Sequence, residues 1–492
     1  MISILNEHFL ILATFVLFCY GITYKLSRKL KFSDISKPIT TLALLALVST
    51  MIILVIDLPV HTVKFNSLFV KDYTSSLIEF MMLCIAIGII LTTFKYNLRE
   101  RIPQFEFTIL VLCITISTHL LVTVEEIFAL YLILEFQSIC MCILVAIKKD
   151  NKSTDASIKT LIVGSIASAI LLGGLSLLYS VSGGLTFFEE LSIFFKSTNP
   201  ENISYNTVYI AIILISIGIF FKIYIAPLHL WISDIYALSP SSSLLIYATT
   251  SSLPMFFVLH KIYVGILANY SWFWEYIINI TCLTSILVGT IGAIYQSSIK
   301  RMLAYSSIAN AGYIYLSFLS YESAESIASG IFYLIIYTLN IFGMLSLMMN
   351  VRFKEIDGTE NTLENTEQLA GLYHKNSVLS YTIMIYSYTM AGLPPLSFFF
   401  SKISIFTAIM MNPGYMWLIV AMAIATSVAV FYYIRMIQLM YFDKLKNNNS
   451  IRKIPFIVLF ITFLIITINI LLYIYSTQLL AMIMVVALDM SL

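Results

Sequence analysis

Apolar runs long enough to cross a lipid bilayer recur along the whole chain, separated by short polar intervals. A window of about 19 residues, matched to a hydrocarbon layer about 30 Å thick, picks them out. There are fourteen: 9–24, 41–56, 78–94, 107–124, 127–147, 158–179, 208–225, 244–267, 272–294, 302–319, 327–350, 378–411, 415–441 and 455–475. Prolines interrupt the eighth and twelfth. Helices satisfy their own backbone hydrogen bonds in lipid, so this pattern predicts an all-α integral membrane protein. Two intervals are longer. Residues 183–206 hold "LTFFEELSIFF", an amphipathic pattern expected to lie along the outer interface. Residues 352–376 carry mixed charge and are expected to form a surface loop or lateral contact without a catalytic grouping.

Composition agrees, since 60% of residues are hydrophobic and only 11% charged, which excludes a soluble globule with a charged skin. Charge also gives an orientation. With the N-terminus outside, the inner intervals collect about twenty Lys and Arg. They include Arg28, Lys29, Lys31, Lys95, Arg99, Lys148, Lys300, Arg301, Arg352, Lys444, Lys446 and Arg452. The outer intervals keep only Lys64, Lys71 and Lys196, and both termini are expected to face outward. The first run reads as a retained helix rather than a cleaved signal, because the charge follows it and no small-residue cleavage site is evident.

The cysteines at 19, 84, 113, 140, 142 and 282 sit in apolar runs without metal-ligand spacing and read as packing residues. No phosphate loop, dinucleotide fingerprint, haem or iron–sulfur motif occurs, so any redox chemistry is expected on another chain.

Candidate chemistry lies in the ionisable residues inside the runs, where a charge costs roughly 2.5–3.5 kcal/mol and needs a partner or a wet cavity. Glu135, in "YLILEFQSI", is too deep for its short side chain to reach the surface. It either makes a structural hydrogen bond to a nearby serine or backbone group, or carries protons; the second reading is favoured. Lys222 and Pro227 share "FFKIYIAPLHLWISDIY". Pro227 lacks an N–H and clashes with the Ile223 carbonyl, which predicts a break beside a lysine able to change charge. His229 either passes a proton or bonds a freed carbonyl. In "AGLPPLSFFFSKISIF", Gly392, Pro394 and Pro395 predict a second break before Lys402. Two broken helices with buried lysines point to an internal duplication. Lys159 can face either the inner interface or a cavity, while Lys261 and Arg435 lie toward helix ends, where snorkelling is the default.

Together with "SIKTLIVGSIASAILLGGLSLLY" and "IKRMLAYSSIANAGY", these stretches resemble the antiporter-like membrane subunits of respiratory complex I over roughly residues 75–440. The resemblance implies two inverted five-helix repeats, each with a broken helix. The expected boundaries are 1–105 for an N-terminal three-helix segment, 106–265 and 266–441 for the repeats, and 442–492 for a last helix and tail. It implies a proton relay through Glu135, Lys159, Lys222, His229 and Lys402. FMN, iron–sulfur clusters and ubiquinone are expected on other subunits, with no cofactor or metal on this chain. The implied partners are further membrane-arm subunits and lipids, not nucleic acid. The implied location is the mitochondrial inner membrane, with both termini toward the intermembrane space, ahead of a bacterial plasma membrane. One departure stands out. Where the family carries an eighth-helix lysine, "ATTSSLPMFF" offers Ser251 or Ser252, so that step runs through water or is taken by Lys261 or His260. The rival readings are a cation/proton antiporter subunit without redox partners and a non-conducting spacer of the membrane arm.

Overall fold

The computed structural model describes residues 5–26, 32–56, 62–64, 67–197, 205–354, 360–443 and 450–489. Arg28, Lys29, Lys31, Lys444 and Lys446, used above for orientation, lie outside them. The helices run α1 (Leu5–Leu26), α2 (Phe32–Ile56), α3 (Tyr73–Arg99), α4 (Gln104–Thr123), α5 (Ile127–Val145), α6 (Asn151–Val181), α7 (Phe188–Ser197), α8 (Tyr205–Lys222), α9 (Leu230–Leu238) and α10 (Ser241–Thr250). They continue as α11 (Ser252–His260), α12 (Ser271–Ile294), α13 (Ile299–Tyr315), α14 (Ala324–Asn350), α15 (Leu372–Lys375), α16 (Ser377–Ala391), α17 (Ser397–Met410), α18 (Met416–Tyr441), α19 (Phe456–Ile474) and α20 (Ser476–Asp489). Among the described residues, 11 helices are long and apolar enough to cross a membrane, and Asn206–Lys222, Ser397–Met410 and Ser476–Leu488 are shorter apolar helices. The chain is a multi-pass membrane protein.

It divides into two compact units, residues 1–222 with 242–274 and 489–492, and residues 223–241 with 275–488. In the first, the apolar repeat makes α6 and the small-residue pattern positions it. A Cβ at Gly174 would meet Ile215 Cγ1 at 2.7 Å, and one at Gly218 would meet Leu171 Cβ at 2.7 Å, so the close approach of α6 and α8 requires both glycines. Ile158, Leu161, Ile162 and Ile166 stay exposed on α6, as befits a lipid-facing stripe. The amphipathic segment forms α7, whose Phe188, Leu191 and Phe195 are buried, while the Phe195 carbonyl accepts from Asn269 Nδ2 at 2.9 Å.

A capping box starts α6. Ser153 N–H donates to Asp150 Oδ1 at 2.8 Å, and Asp150 N–H donates to Ser153 Oγ at 3.2 Å. Burial works to raise the Asp150 pKa, but the Ser153 hydrogen bonds and the Lys148 ammonium outweigh it and hold the carboxyl below its usual 3.8. A lowered carboxylate pKa contributes stability that is complete above the unfolded value and is lost as pH falls through the folded one. Hydrogen exchange in the first turn of α6 is therefore expected to stay slow down to pH 3.8 and to accelerate below it. Acceleration starting above that value would contradict the cap.

In the second unit α14 is buried along nearly its whole length against α13, α16, α17 and α19. A reciprocal amide pair pins it to α19: Asn340 Nδ2 donates to Asn469 Oδ1 at 3.0 Å and Asn469 Nδ2 returns the bond at 3.2 Å. Ser397, at the start of α17, also donates to Asn469 Oδ1, at 2.6 Å.

The break expected within 378–411 is present: α16 ends at Ala391, where Gly392 adopts φ +78° and the prolines that follow cannot continue the helix. Two other expectations change. The expected tail holds α20, which at 14 residues is too short for a 19-residue window to register. The interval 352–376 is no simple surface loop. Arg352–Lys354 (β1) pairs antiparallel with Glu360–Thr362 (β2) and with Ser450–Ile451 (β3), and Phe353, Leu363 and Leu369 are buried; residues 355–359 lie outside the described set.

Candidate functional site: two broken helices and their lysines

The first site lies in the first unit, on α5 and the end of α8. Glu135 and Ser138 are three residues apart on α5 and share a face. Lys222, the last residue of α8, reaches both, with Nζ 3.9 Å from Glu135 Oε1 and donating to Ser138 Oγ at 2.9 Å. Their side chains are 9% and 29% exposed for Lys222 and Glu135. Glu135 Oε1 has no hydrogen-bond partner, so the pair is held by charge across a gap while the serine orients the ammonium. Such an arrangement can close to a contact pair or open without dismantling other bonds. Ser138 is the serine of "YLILEFQSI", at i+3 spacing from Glu135, and it holds Lys222 rather than the carboxylate.

After Lys222 the helix stops, Tyr224 takes φ +52°, and helix resumes at Leu230. The freed backbone of this segment is satisfied inside the second unit by α12. Ala226 N–H donates to Ser285 Oγ at 2.7 Å, and Thr284 Oγ1 donates to the Ala226 carbonyl at 3.1 Å. A mid-membrane break needs such partners, because lipid supplies none. Ser285→Ala leaves the fully buried Ala226 N–H without an acceptor and is expected to destabilise the purified chain by about 1–3 kcal/mol in denaturant titration. An unchanged midpoint would mean the break is held by other contacts. His229 caps the start of α9, is 7% exposed, and lies edge-on to Tyr305 at 6.3 Å. Its Nδ1 is buried without a hydrogen-bond partner.

The second site lies wholly in the second unit. Lys402, 5% exposed, folds back over the break so that Nζ donates to the Ala391 carbonyl at 3.3 Å. The rings of Phe398 and Tyr313 face the ammonium at 5.4 and 5.6 Å. Among the described residues no carboxylate pairs with it. Tyr313 stacks on Tyr333 at 6.1 Å, Tyr333 donates to Asn310 Oδ1 at 2.8 Å, and Asn310 Nδ2 donates to Ser306 Oγ at 3.2 Å. The Ser306 and Tyr433 hydroxyls are 2.6 Å apart. This buried hydroxyl and amide chain offers a continuous set of proton donors and acceptors. Ser306 and Asn310 both lie in "IKRMLAYSSIANAGY", where their i, i+4 spacing marks one polar face.

The other expected residues are placed differently. Lys159 is exposed on α6 rather than buried with Glu135 and Lys222. Lys261 forms an ion pair with Glu125 at 2.7 Å and donates to the Val122 and Val124 carbonyls at 2.8 and 2.7 Å. An ammonium has three N–H donors, so Lys261 is fully engaged as a clamp on the C-terminal end of α4, where a cation suits the helix dipole. His260 is buried, and Ser251 donates to its own helix at the Tyr247 carbonyl, 2.8 Å. Arg435 is exposed on α18.

Residues 124–428 match the family described as "NADH:quinone oxidoreductase/Mrp antiporter, TM". The chain is 31% identical to NADH-ubiquinone oxidoreductase chain 2 of Marchantia polymorpha, covering 91% of this chain and 90% of that one. It is 29% identical to NADH-quinone oxidoreductase subunit N of Paramagnetospirillum magneticum, over 90% of this chain and 88% of the relative. A chain in the structure of respiratory complex I from Thermus thermophilus superposes with a TM-score of 0.78 at 22% identity, covering 97% of this chain and 98% of that chain.

Proposed function

Because the chain belongs to the NADH:quinone oxidoreductase/Mrp antiporter family of membrane proteins, we propose that it is the proton-translocating, antiporter-like membrane-arm subunit of a respiratory complex I, the counterpart of chain 2 and of bacterial subunit N. The observation that carries this reading is the half-buried, loosely closed pair of Lys222 and Glu135 beside a broken helix. Electron transfer and quinone reduction on other subunits change the polarity at one end of the membrane arm, and that change alters the strength of the pair. Closed, Lys222 keeps its proton; open, it releases it. Lys402 is the proposed release station, with Lys159 and His229 completing the set of proton-carrying groups. FMN, iron–sulfur clusters and ubiquinone belong to the other subunits in this reading. The chain performs no redox step of its own and contributes to the enzyme as one subunit of an NADH:ubiquinone reductase.

We also assign the chain to the mitochondrial inner membrane with both termini toward the intermembrane space. The divisions 1–105, 106–265, 266–441 and 442–492 remain the proposed domains, with the middle two as inverted repeats. The test is a native gel of gently solubilised membranes, stained for NADH oxidation, with peptide mass spectrometry of the active band. Peptides of this chain in a very large active band alongside redox subunits support the proposal. Their confinement to a smaller, inactive band would favour the stand-alone antiporter that the family description also covers.

A further inference from the structure

The second unit carries a cavity of about 430 Å³ that shares no residue with the sites above. Its walls come from three segments far apart in the sequence: Glu275 in α12, residues 319–323 between α13 and α14, and residues 411–413 between α17 and α18. Asn412 ties two of these together, because its Nδ2 donates to the Leu319 carbonyl at 3.3 Å. Tyr415 donates to Glu275 Oε2 at 2.8 Å and so occupies one of that carboxylate's two oxygens. Glu322 is exposed on the opposite segment. Ser320 is 9% exposed, and its Oγ is buried without a hydrogen-bond partner.

Charge and size select the occupant. Glu275 and Glu322 bring two negative charges and no Lys, Arg or His lines the cavity, so a cation suits it. Among the described residues no group of three or more His, Cys, Asp or Glu side chains could hold a metal ion, which argues against a compact metal site. The volume is that of a small-molecule pocket, and Leu319, Met411 and Pro413 add apolar wall beside the carboxylates. A phosphate would find no cationic partner here, which disfavours a zwitterionic lipid headgroup. We propose that the cavity is a binding site for a small aliphatic diamine or polyamine. Its ammonium groups pair with Glu275 and Glu322, Ser320 Oγ accepts a further N–H, and its methylenes lie along Leu319, Met411 and Pro413. This assignment does not depend on the pumping reading and holds equally in a chain that conducts no protons.

The test uses the full-length chain in phosphatidylcholine nanodiscs, titrated with putrescine and with spermidine in a calorimeter. The expected result is saturable binding, weakened about tenfold by Glu275→Gln, which keeps an acceptor for Tyr415, and about threefold by Glu322→Gln on the exposed wall. Ser320→Ala leaves both charges in place and is expected to weaken binding as well. Glu189→Gln removes an exposed carboxylate from α7 and is expected to change nothing, which separates the site from diffuse surface charge. Should Glu275→Gln not fold, Glu322→Gln and Ser320→Ala carry the test. Binding that does not saturate, wild-type affinity in the cavity variants, or displacement of the amine by equimolar Mg²⁺ or by phosphatidylethanolamine in the disc overturns the assignment.

Discussion

Replacing Lys222 by methionine, or Glu135 by glutamine, is expected to cut proton pumping in the assembled complex on the order of tenfold, while the complex still assembles and oxidises NADH. The ammonium is 9% exposed and has one carboxylate and one hydroxyl as its polar contacts. Removing the carboxylate leaves a buried charge supported by a neutral serine, and each 1.4 kcal/mol lost changes the charged population about tenfold. Lys222→Met removes the carrier itself. Ser138→Ala removes only the orienting acceptor and is expected to have a smaller effect. The measurement is protons moved per NADH oxidised in sealed vesicles. Wild-type stoichiometry in both Lys222→Met and Glu135→Gln would sink the switch and leave the spacer reading in its place.

Gly392→Ala is expected to disable the Lys402 site without touching the lysine chemically. The residue sits at φ +78°, which costs an L-residue about 1–2 kcal/mol. A Cβ there would also lie 2.8 Å from Lys402 Nζ and 3.0 Å from its Cδ. The side chain is packed between Tyr313 and Phe398, so it has to leave the Ala391 carbonyl to make room. Thermal unfolding of the purified chain is expected to drop by at least that strain. Pumping is expected to fall as far as in Lys402→Met, with no further loss in the double variant. Additive losses, or pumping at the wild-type level in Gly392→Ala, would show that the glycine and the lysine are not coupled.

Much of this was visible in the residues themselves. Pro227 and the Gly392–Pro395 stretch announce the breaks through backbone chemistry alone, and Glu135, Lys222 and Lys402 stand out as charges inside apolar runs. The environment of each charge was not visible. The first turns of α6 carry polar residues on several sides, Asn151, Lys152, Thr154, Asp155 and Ser157 among them, so the pattern does not tell whether Lys159 points inward, and it points outward. Lys261, expected to snorkel from a helix end, is instead spent on two carbonyls and Glu125 from segments far away in the chain. Lys71, expected as an outer-loop charge, pairs with Glu79 on α3 at 2.9 Å, and Asn6 of α1, far away in the chain, donates to the same carboxylate, a partnership no local pattern encodes.

The reciprocal amides of Asn340 and Asn469 bear on how the chain is built. Apart from a few hydroxyls, α19 is a rod of Ile, Leu and Phe, and a rod of that kind gains nothing from one rotation over another when its surroundings are equally oily. One amide therefore serves as its key, and the same oxygen also receives the hydroxyl that opens α17. Because α19 follows both α14 and α17 in the chain, a chain truncated before Asn469 would lack the shared acceptor for Asn340 and for the hydroxyl that opens the Lys402 helix, leaving two buried donors without it.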